Sequence, residues 1–378
     1  MTDQNRRDLS AEELATGAVE KALADADLQA KDIKLVISAN ALGGELCDQG
    51  CIRGQSWLRK LGFGSVGVVN VENACAGGVN AAHIGSLAAL AGESPILVVA
   101  TEKMWTGDRK ATMEAIEEGV PAAIRKRMKD LLGNNPSKSL FMGLNAKWAK
   151  DLLASGATTI KHLVATSVKA RFHGSLNPLA QHRIRLTEQE IMEAQMVVEP
   201  LTRPMCSSFT DGAAALVLTT ENIIGAPRIL ASVLGSGDGT GEYHSSMALA
   251  AQKAYEESGY GPDDFDVIEI HDATSAEELL ALECLGFYPP GKAGAATGAG
   301  DTTLGGSGVT VNPSGGLVAR GHPIGATGAC QLVELVDQLK GRAGGRQVDD
   351  ARLALAVNTG GIIEEDVASV GVMVLGRG

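Results

Sequence analysis

Apolar positions recur along the chain with two different periods. From Asp8 to Leu28 the spacing is helical: Ser10-Ala11-Glu12-Glu13 has the capping-box arrangement, and Leu14, Ala15, Ala18 and Ala22 fall on one side. Short apolar runs at Lys34 to Ser38, Ser65 to Val71 and Pro95 to Thr101 predict buried strands, with a helix of small residues, Ala76 to Leu90, between the last two. From Glu102 to about Pro200 the pattern turns to charged helical segments, broken at Gly133-Asn134-Asn135-Pro136 and Asn177-Pro178, which reads as an insertion. A second series follows. It predicts strands at Ala213 to Thr219, Arg228 to Val233, Asp266 to Ile270, Arg352 to Val357 and Ala368 to Leu375, and helices at Ser245 to Ser258, Ser275 to Leu285 and Gly321 to Gln338. Two units of similar order suggest an internally duplicated α/β fold, although no residue-level repeat accompanies it.

Composition narrows the class. A chain of 378 residues with 44% hydrophobic side chains fills a large core, enough for two ordinary domains or one duplicated one. Its apolar runs fall well short of the roughly 20 residues that span a bilayer, and Met1 to Arg7 lack an apolar signal core, so a cytoplasmic protein without a membrane span is expected. The net charge of −12 disfavours nucleic acid as a partner, and the basic run Arg125-Lys126-Arg127-Met128-Lys129 reads as a solvated helix face. The six cysteines are expected to be reduced; Cys47 and Cys51 lack a second pair or a His cluster, so no metal is expected.

Candidate chemistry lies at strand ends. In Glu72-Asn73-Ala74-Cys75-Ala76-Gly77-Gly78, Cys75 stands between a strand and a helix, where unpaired NH groups and the positive dipole end favour a thiolate. A nucleophile and a buried structural cysteine both fit this placement. The loop Asn312-Pro313-Ser314-Gly315-Gly316 leads through Arg320-Gly321 to His322-Pro323, predicted at a helix start, where the imidazole can donate to an oxyanion. His271-Asp272 follows a buried strand at its C-terminal end, as α/β site residues do. Asn358-Thr359-Gly360-Gly361 is read as ending another strand, with backbone NH groups available to an oxyanion.

Together these segments resemble the thiolase superfamily, in particular the sterol-carrier-protein-2 type, over nearly the whole chain. Cys75 lies where such enzymes carry the acylated cysteine. Glu102-Lys103-Met104, Thr210-Asp211-Gly212-Ala213-Ala214, Gly321-His322-Pro323, His271-Asp272 and Asn358-Thr359-Gly360 match further family motifs, the second of them looking like the one that opens the second half. The resemblance implies a duplicated five-layer α-β-α-β-α fold, with an N-terminal half over 1–225 that includes a loop domain at about 103–200, and a C-terminal half over 226–378. It implies coenzyme A as substrate with no permanently bound cofactor, a homodimer or dimer of dimers, and an optional small OB-fold, zinc-ribbon partner.

By the same resemblance Cys75 carries the acyl group while a C–C bond of an acyl-CoA or 3-oxoacyl-CoA is made or broken. His271 and His322 face the thioester or enolate oxygen, and the NH groups of Cys75 and Gly360 meet the tetrahedral intermediate. The chain departs from the family where a second, acid/base cysteine is expected: Asn358 stands in the C-terminal loop and Ala273 follows His271-Asp272. That leaves Cys75, His271 and His322, a set resembling decarboxylating condensing enzymes, and leaves acyl transfer, decarboxylative condensation and retro-aldol cleavage open beside thiolysis. A non-catalytic partner or lipid-binding role on the same fold is a further alternative. The N-terminal strand that usually precedes the first helix has no counterpart in the pattern.

Overall fold

A computed structural model describes residues 1–133, 139–237, 239, 245–364 and 366–378. Helix α1 (Ala11–Asp25) starts at the expected box: Glu13 N reaches Ser10 Oγ at 3.2 Å, while Glu13 Oε2 accepts from Ser10 N at 2.7 Å. Its buried stripe of Leu14, Ala15, Ala18 and Val19 covers the outer face of the first sheet. Burying a Leu or Val side chain contributes about 1.5–3 kcal/mol.

That sheet contains β1 (Leu35–Ala39), β2 (Gly67–Val71) and β3 (Ile96–Glu102), with β1 parallel to both neighbours. Helix α2 (Gly77–Leu90) connects the last two. The insertion contributes α3 (Arg109–Glu117), α4 (Ala122–Leu132), α5 (Leu140–Ala154) and α6 (Ile160–Leu176). Of its turn signals, Asn177 caps α6 as expected, whereas Asn134, Asn135 and Pro136 lie outside the described residues. The basic run is a solvated face of α4, with Arg127 paired to Glu364 and Lys129 to Glu117. The chain returns in β4 (Gly212–Leu218), antiparallel to β3, so Thr210-Asp211-Gly212 introduces the last strand of the first sheet, not the second half.

The second sheet is built from β5 (Arg228–Gly235), β6 (Val267–Ile270), β7 (Thr310–Val311), β8 (Leu353–Ile363) and β9 (Asp366–Gly376). Its order is β5-β9-β8-β6-β7; that of the first is β2-β1-β3-β4. Aligning β6 with β1 makes β8 match β3 and β9 match β4, with the same parallel and antiparallel senses. Strand β5 is the one without a counterpart among the strands of the first sheet. Residues beside β4 stand at its place: Thr2 N donates to Ala213 O at 2.9 Å and Asn5 N to Asp211 O at 2.7 Å. The short segment from Thr2 to Asn5, which ends in a turn, is hydrogen-bonded there.

Helix α7 (Ser245–Ser258) and α8 (Ser275–Cys284) lie on the outer side of the second sheet, and α9 (Thr327–Leu339) lies with α2 between the two sheets. This is the five-layer α-β-α-β-α order. The small residues of the two inner helices are explained by their contact. A Cβ on Gly78 would stand 2.5 Å from Ala329 N, and one on Gly328 2.5 Å from Val79 N.

Two boundaries differ from expectation. Helix α9 starts at Thr327, not Gly321, because Gly321 has φ 118° and His322 is held extended beside Phe209. Strand β8 continues through Asn358-Thr359-Gly360-Gly361 to Ile363, since β9 pairs with it along that stretch.

Candidate active site

Cys75 leaves β2 through a tight elbow. Ala74 has φ 46°, a left-handed conformation that costs a residue with a Cβ about 1–2 kcal/mol. The elbow sets Cys75 just ahead of α2, half-buried, at the floor of a cavity of about 980 Å³. Cys75 Sγ and one ring nitrogen from each of His271 and His322 lie within 4.8 Å of one another. The two imidazoles meet edge to face, with centroids 5.3 Å apart at 84°. Among the described residues, this is the one group of three such donors close enough to share a metal ion.

The histidines are held in different charge states. His271 Nδ1 is 2.9 Å from Glu277 Oε1, which leaves Nε2, buried and without a hydrogen-bond partner, on the side of Cys75. Burial works against its charged form, but the Glu277 carboxylate and the Cys75 sulfur outweigh it and raise His271 to about 10. Glu277 is in turn fixed by Ala273 N at 3.1 Å. His322 is pushed well below the ordinary imidazole range by burial, then by the positive charges of His271 and Arg320. Its ring is neutral, with Nδ1 2.8 Å from Thr327 Oγ1. In the tautomer in which the threonine hydroxyl donates to Nδ1, Nε2 carries the proton and is a donor.

Several sequence motifs turn out to be clamps around these residues. Asp272 accepts from Leu317 N at 2.7 Å, and Glu269 accepts from Ser314 N at 3.0 Å and Ser314 Oγ at 2.8 Å, so the end of β6 holds the glycine-rich loop leading to His322. Arg320 lies 3.3 Å from the same Glu269; burial nevertheless raises that carboxyl to about 7. Glu102 accepts from Asn40 Nδ2, Ala41 N, Leu42 N and Gly325 N at 2.8–3.1 Å, tying the loop after β1 to the segment after His322. Asp211 binds Met104 N at 2.7 Å and Lys103 Nζ at 2.7 Å, and Thr210 Oγ1 accepts from His322 N at 3.0 Å.

Gly360 lies against the backbone of Cys75. A Cβ there would stand 2.4 Å from Asn73 O and 2.8 Å from Cys75 N, so only glycine lets the strand approach. Asn358 does not join the group: its Nδ2 donates to Gln331 Oε1 at 2.7 Å, and it is not part of the cavity wall, whereas Thr359 and Gly360 are. A second cysteine, Cys206, does line the cavity, but burial pushes its thiol up to about 12 and it donates to Thr202 O. Sequence reasoning did not reach Cys206, Glu277 or Thr327. Only Glu277 carried a signal, an acid in the first turn after the His271 strand.

Residues 2–158 match the model of the thiolase N-terminal domain, and residues 240–377 that of the thiolase C-terminal domain-like family. Acetyl-CoA acetyltransferase of Methanothermobacter thermautotrophicus is 31% identical over 94% of this chain and 92% of that protein. The chain belongs to the thiolase family. A benzoylsuccinyl-CoA thiolase subunit, BbsB, of Thauera aromatica is 32% identical over 82% of this chain and 81% of that one. Sterol carrier protein 2 of Oryctolagus cuniculus is also 32% identical, over 92% of this chain. The chain spans 65% of that relative's length. The thiolase fold extends to a solved structure named Ltp2-ChsH2(DUF35) aldolase, with a TM-score of 0.79, 22% identity, and coverage of 100% of this chain and 95% of that one. No helix among the described residues is long and apolar enough to cross a membrane.

Proposed function

We propose that this thiolase-family chain is an acyltransferase that makes or breaks a C–C bond on a CoA thioester through acyl-Cys75. The observation that carries the reading is the convergence of Cys75, charged His271 and neutral His322 at the floor of one cavity. The Cys75 thiolate attacks the thioester carbonyl, and the developing oxyanion is met by the NH groups of Cys75 and Gly360. The C–S bond to CoA breaks and His271 gives its proton to the departing thiolate. Acylation removes the negative sulfur beside His271, which frees the now neutral ring to take a proton from the α-carbon of a second acyl-CoA. His322 Nε2–H stabilises the resulting enolate. Attack of the enolate on acyl-Cys75 forms the 3-oxoacyl-CoA and returns the thiolate beside protonated His271. Thiolysis is the reverse sequence.

The proton-transfer step also supports a second reading. Burial holds Cys206, the other cavity cysteine, as a neutral thiol, which supports His271 as the base in this reading. A single histidine base suits decarboxylative condensation or retro-aldol cleavage as well as thiolysis. Product analysis with and without free CoA separates them. CoA-dependent cleavage of acetoacetyl-CoA, lost in Cys75→Ser, supports thiolysis; cleavage that consumes no CoA overturns it.

Coenzyme A enters as substrate in this proposal, with no resident cofactor. Residues 1–225 and 226–378 are taken as its two halves, with 103–200 over the acyl and CoA sites. The free cysteines accord with a cytoplasmic setting. A dimer is supported by the first sheet, which ends in exposed β2 with Val69 facing outwards. The relative called a subunit, and the solved structure named as a pair, support a small OB-fold, zinc-ribbon partner. Co-expression followed by size-exclusion chromatography tests for it.

A further inference from the structure

The three groups at the cavity floor also have the makeup of a metal ligand set. Cys75 Sγ and one ring nitrogen from each of His271 and His322 lie within 4.8 Å of one another, and all three residues line the cavity. A tetrahedral zinc ion, with Zn–S of about 2.3 Å and Zn–N of about 2.0–2.1 Å, holds such atoms about 3.3–3.6 Å apart, so side-chain rotations of about an ångström close the set. Thiolate and imidazole are the ligands that zinc and ions like it prefer, whereas magnesium and calcium take oxygen.

The groups behind the two rings are those a metal site needs. A ligating histidine is oriented by a hydrogen bond from its other ring nitrogen, often to a carboxylate. His271 has this partner in Glu277, 2.9 Å from Nδ1 and itself fixed by Ala273 N at 3.1 Å. Its Nε2 is buried on the side of Cys75 without a hydrogen-bond partner, and the whole residue is 6% exposed. An unpartnered buried ring nitrogen is costly, and an arriving cation removes that cost. His322 has Thr327 Oγ1 at 2.8 Å from Nδ1; when the ring donates to that hydroxyl, the lone pair of Nε2 is free to bind. Of the positive charges acting on His322, Arg320 is paired with Glu269 at 3.3 Å, and that of His271 leaves when a metal takes the place of its proton.

We infer that Cys75, His271 and His322 form a site for one thiophilic divalent cation of the zinc class, with its fourth position open to the cavity. Cys75 binds as the thiolate, both rings bind through Nε2, and the proton that His271 carries in the metal-free site passes to solvent. Three protein ligands and an open fourth position make this an exchangeable ion, not a structural one. While it is bound, the sulfur is engaged and Cys75 takes no acyl group, so metal and thioester exclude each other. The site rests on its own geometry; the exclusion alone rests on the reading of Cys75 as the acyl carrier.

Cobalt(II) is the probe, since a thiolate ligand gives it a charge-transfer band and four-coordination gives it intense visible bands. Chelator-treated full-length protein is titrated with cobalt(II) chloride without oxygen, beside its Cys75→Ser and His322→Gln variants. Wild type is expected to develop both bands at one equivalent and to lose them when zinc is added. Cys75→Ser is expected to lack the charge-transfer band, and His322→Gln to bind at least tenfold more weakly. Zinc is also expected to protect Cys75 of the wild type from iodoacetamide, read by peptide mapping, so the test stands even where a variant does not fold. Absence of the charge-transfer band in wild type overturns the site, as does the same band in Cys75→Ser, where other cysteines would hold the metal. Prior treatment with acetyl-CoA separates the two readings. A cobalt band that acetyl-CoA leaves intact keeps the metal site and contradicts the acyl-enzyme; an acetylated Cys75 in a protein that never shows the band does the reverse.

Discussion

Glu277 holds the ring of His271 through Nδ1 at 2.9 Å, so this imidazole is oriented by a carboxylate on the helix that follows it. The pair also sets the proton balance. His271, raised to about 10, keeps its proton below that pH and loses it above. A step that needs the imidazolium therefore fades as pH rises through about 10. Replacing Glu277 by Gln removes a raising charge, and the alkaline limb of the kcat/KM profile is expected to move down by about one pH unit or more. An unmoved limb would show that Glu277 does not govern this proton.

Gly360 gives a steric prediction. A methyl group there meets Asn73 O, Ala76 N and Cys75 N within 2.8 Å, and the strand must retreat from the elbow. Loss of an oxyanion donor typically costs about 10²–10³ in kcat. Gly360→Ala is expected to lower kcat by about a hundredfold or more while CoA binding persists, as measured by steady-state kinetics beside calorimetry. A change confined to KM would contradict the oxyanion role.

Glu102 is a test of stability. It is fully buried and accepts from three backbone NH groups on segments far apart in sequence, besides Asn40. Orphaning buried donors costs about 1–3 kcal/mol each. Glu102→Ala is expected to lower unfolding stability in urea by about 3 kcal/mol or more, with loss of activity following from the freed His322 segment.

How far the sequence reveals these features depends on whether they are local. The α1 capping box, the small-residue helix after Cys75 and the strand runs are written in consecutive residues, and the structure places them within a few positions of expectation, although β2, expected to be buried, is an exposed edge strand. The thiolase fold was legible from its motifs. The start of α9 was not, because Thr210 and Phe209, more than a hundred residues away, hold His322 extended. Nor was the length of β8, which is set by pairing with β9. Asp211, Glu102 and Asp272 stood out as motif residues, but that they clamp backbone amides shows only in three dimensions.

The exposed edge of the first sheet carries a prediction on assembly. Val69 is 41% exposed on β2, an edge strand that in isolation would invite pairing. Light scattering after size exclusion is expected to give a dimer or tetramer for the wild type and a shift towards monomer for Val69→Arg. A wild-type monomer would place the contact out of use.

The acyl-enzyme is the centre of the account. Mixing the protein with acetyl-CoA, quenching in acid and mapping peptides by mass spectrometry reads it directly. An added acetyl group on the Cys75 peptide, absent in Cys75→Ser and discharged by free CoA, is the result expected. No adduct on Cys75, with C–C bond chemistry on CoA thioesters surviving in Cys75→Ser, would contradict it.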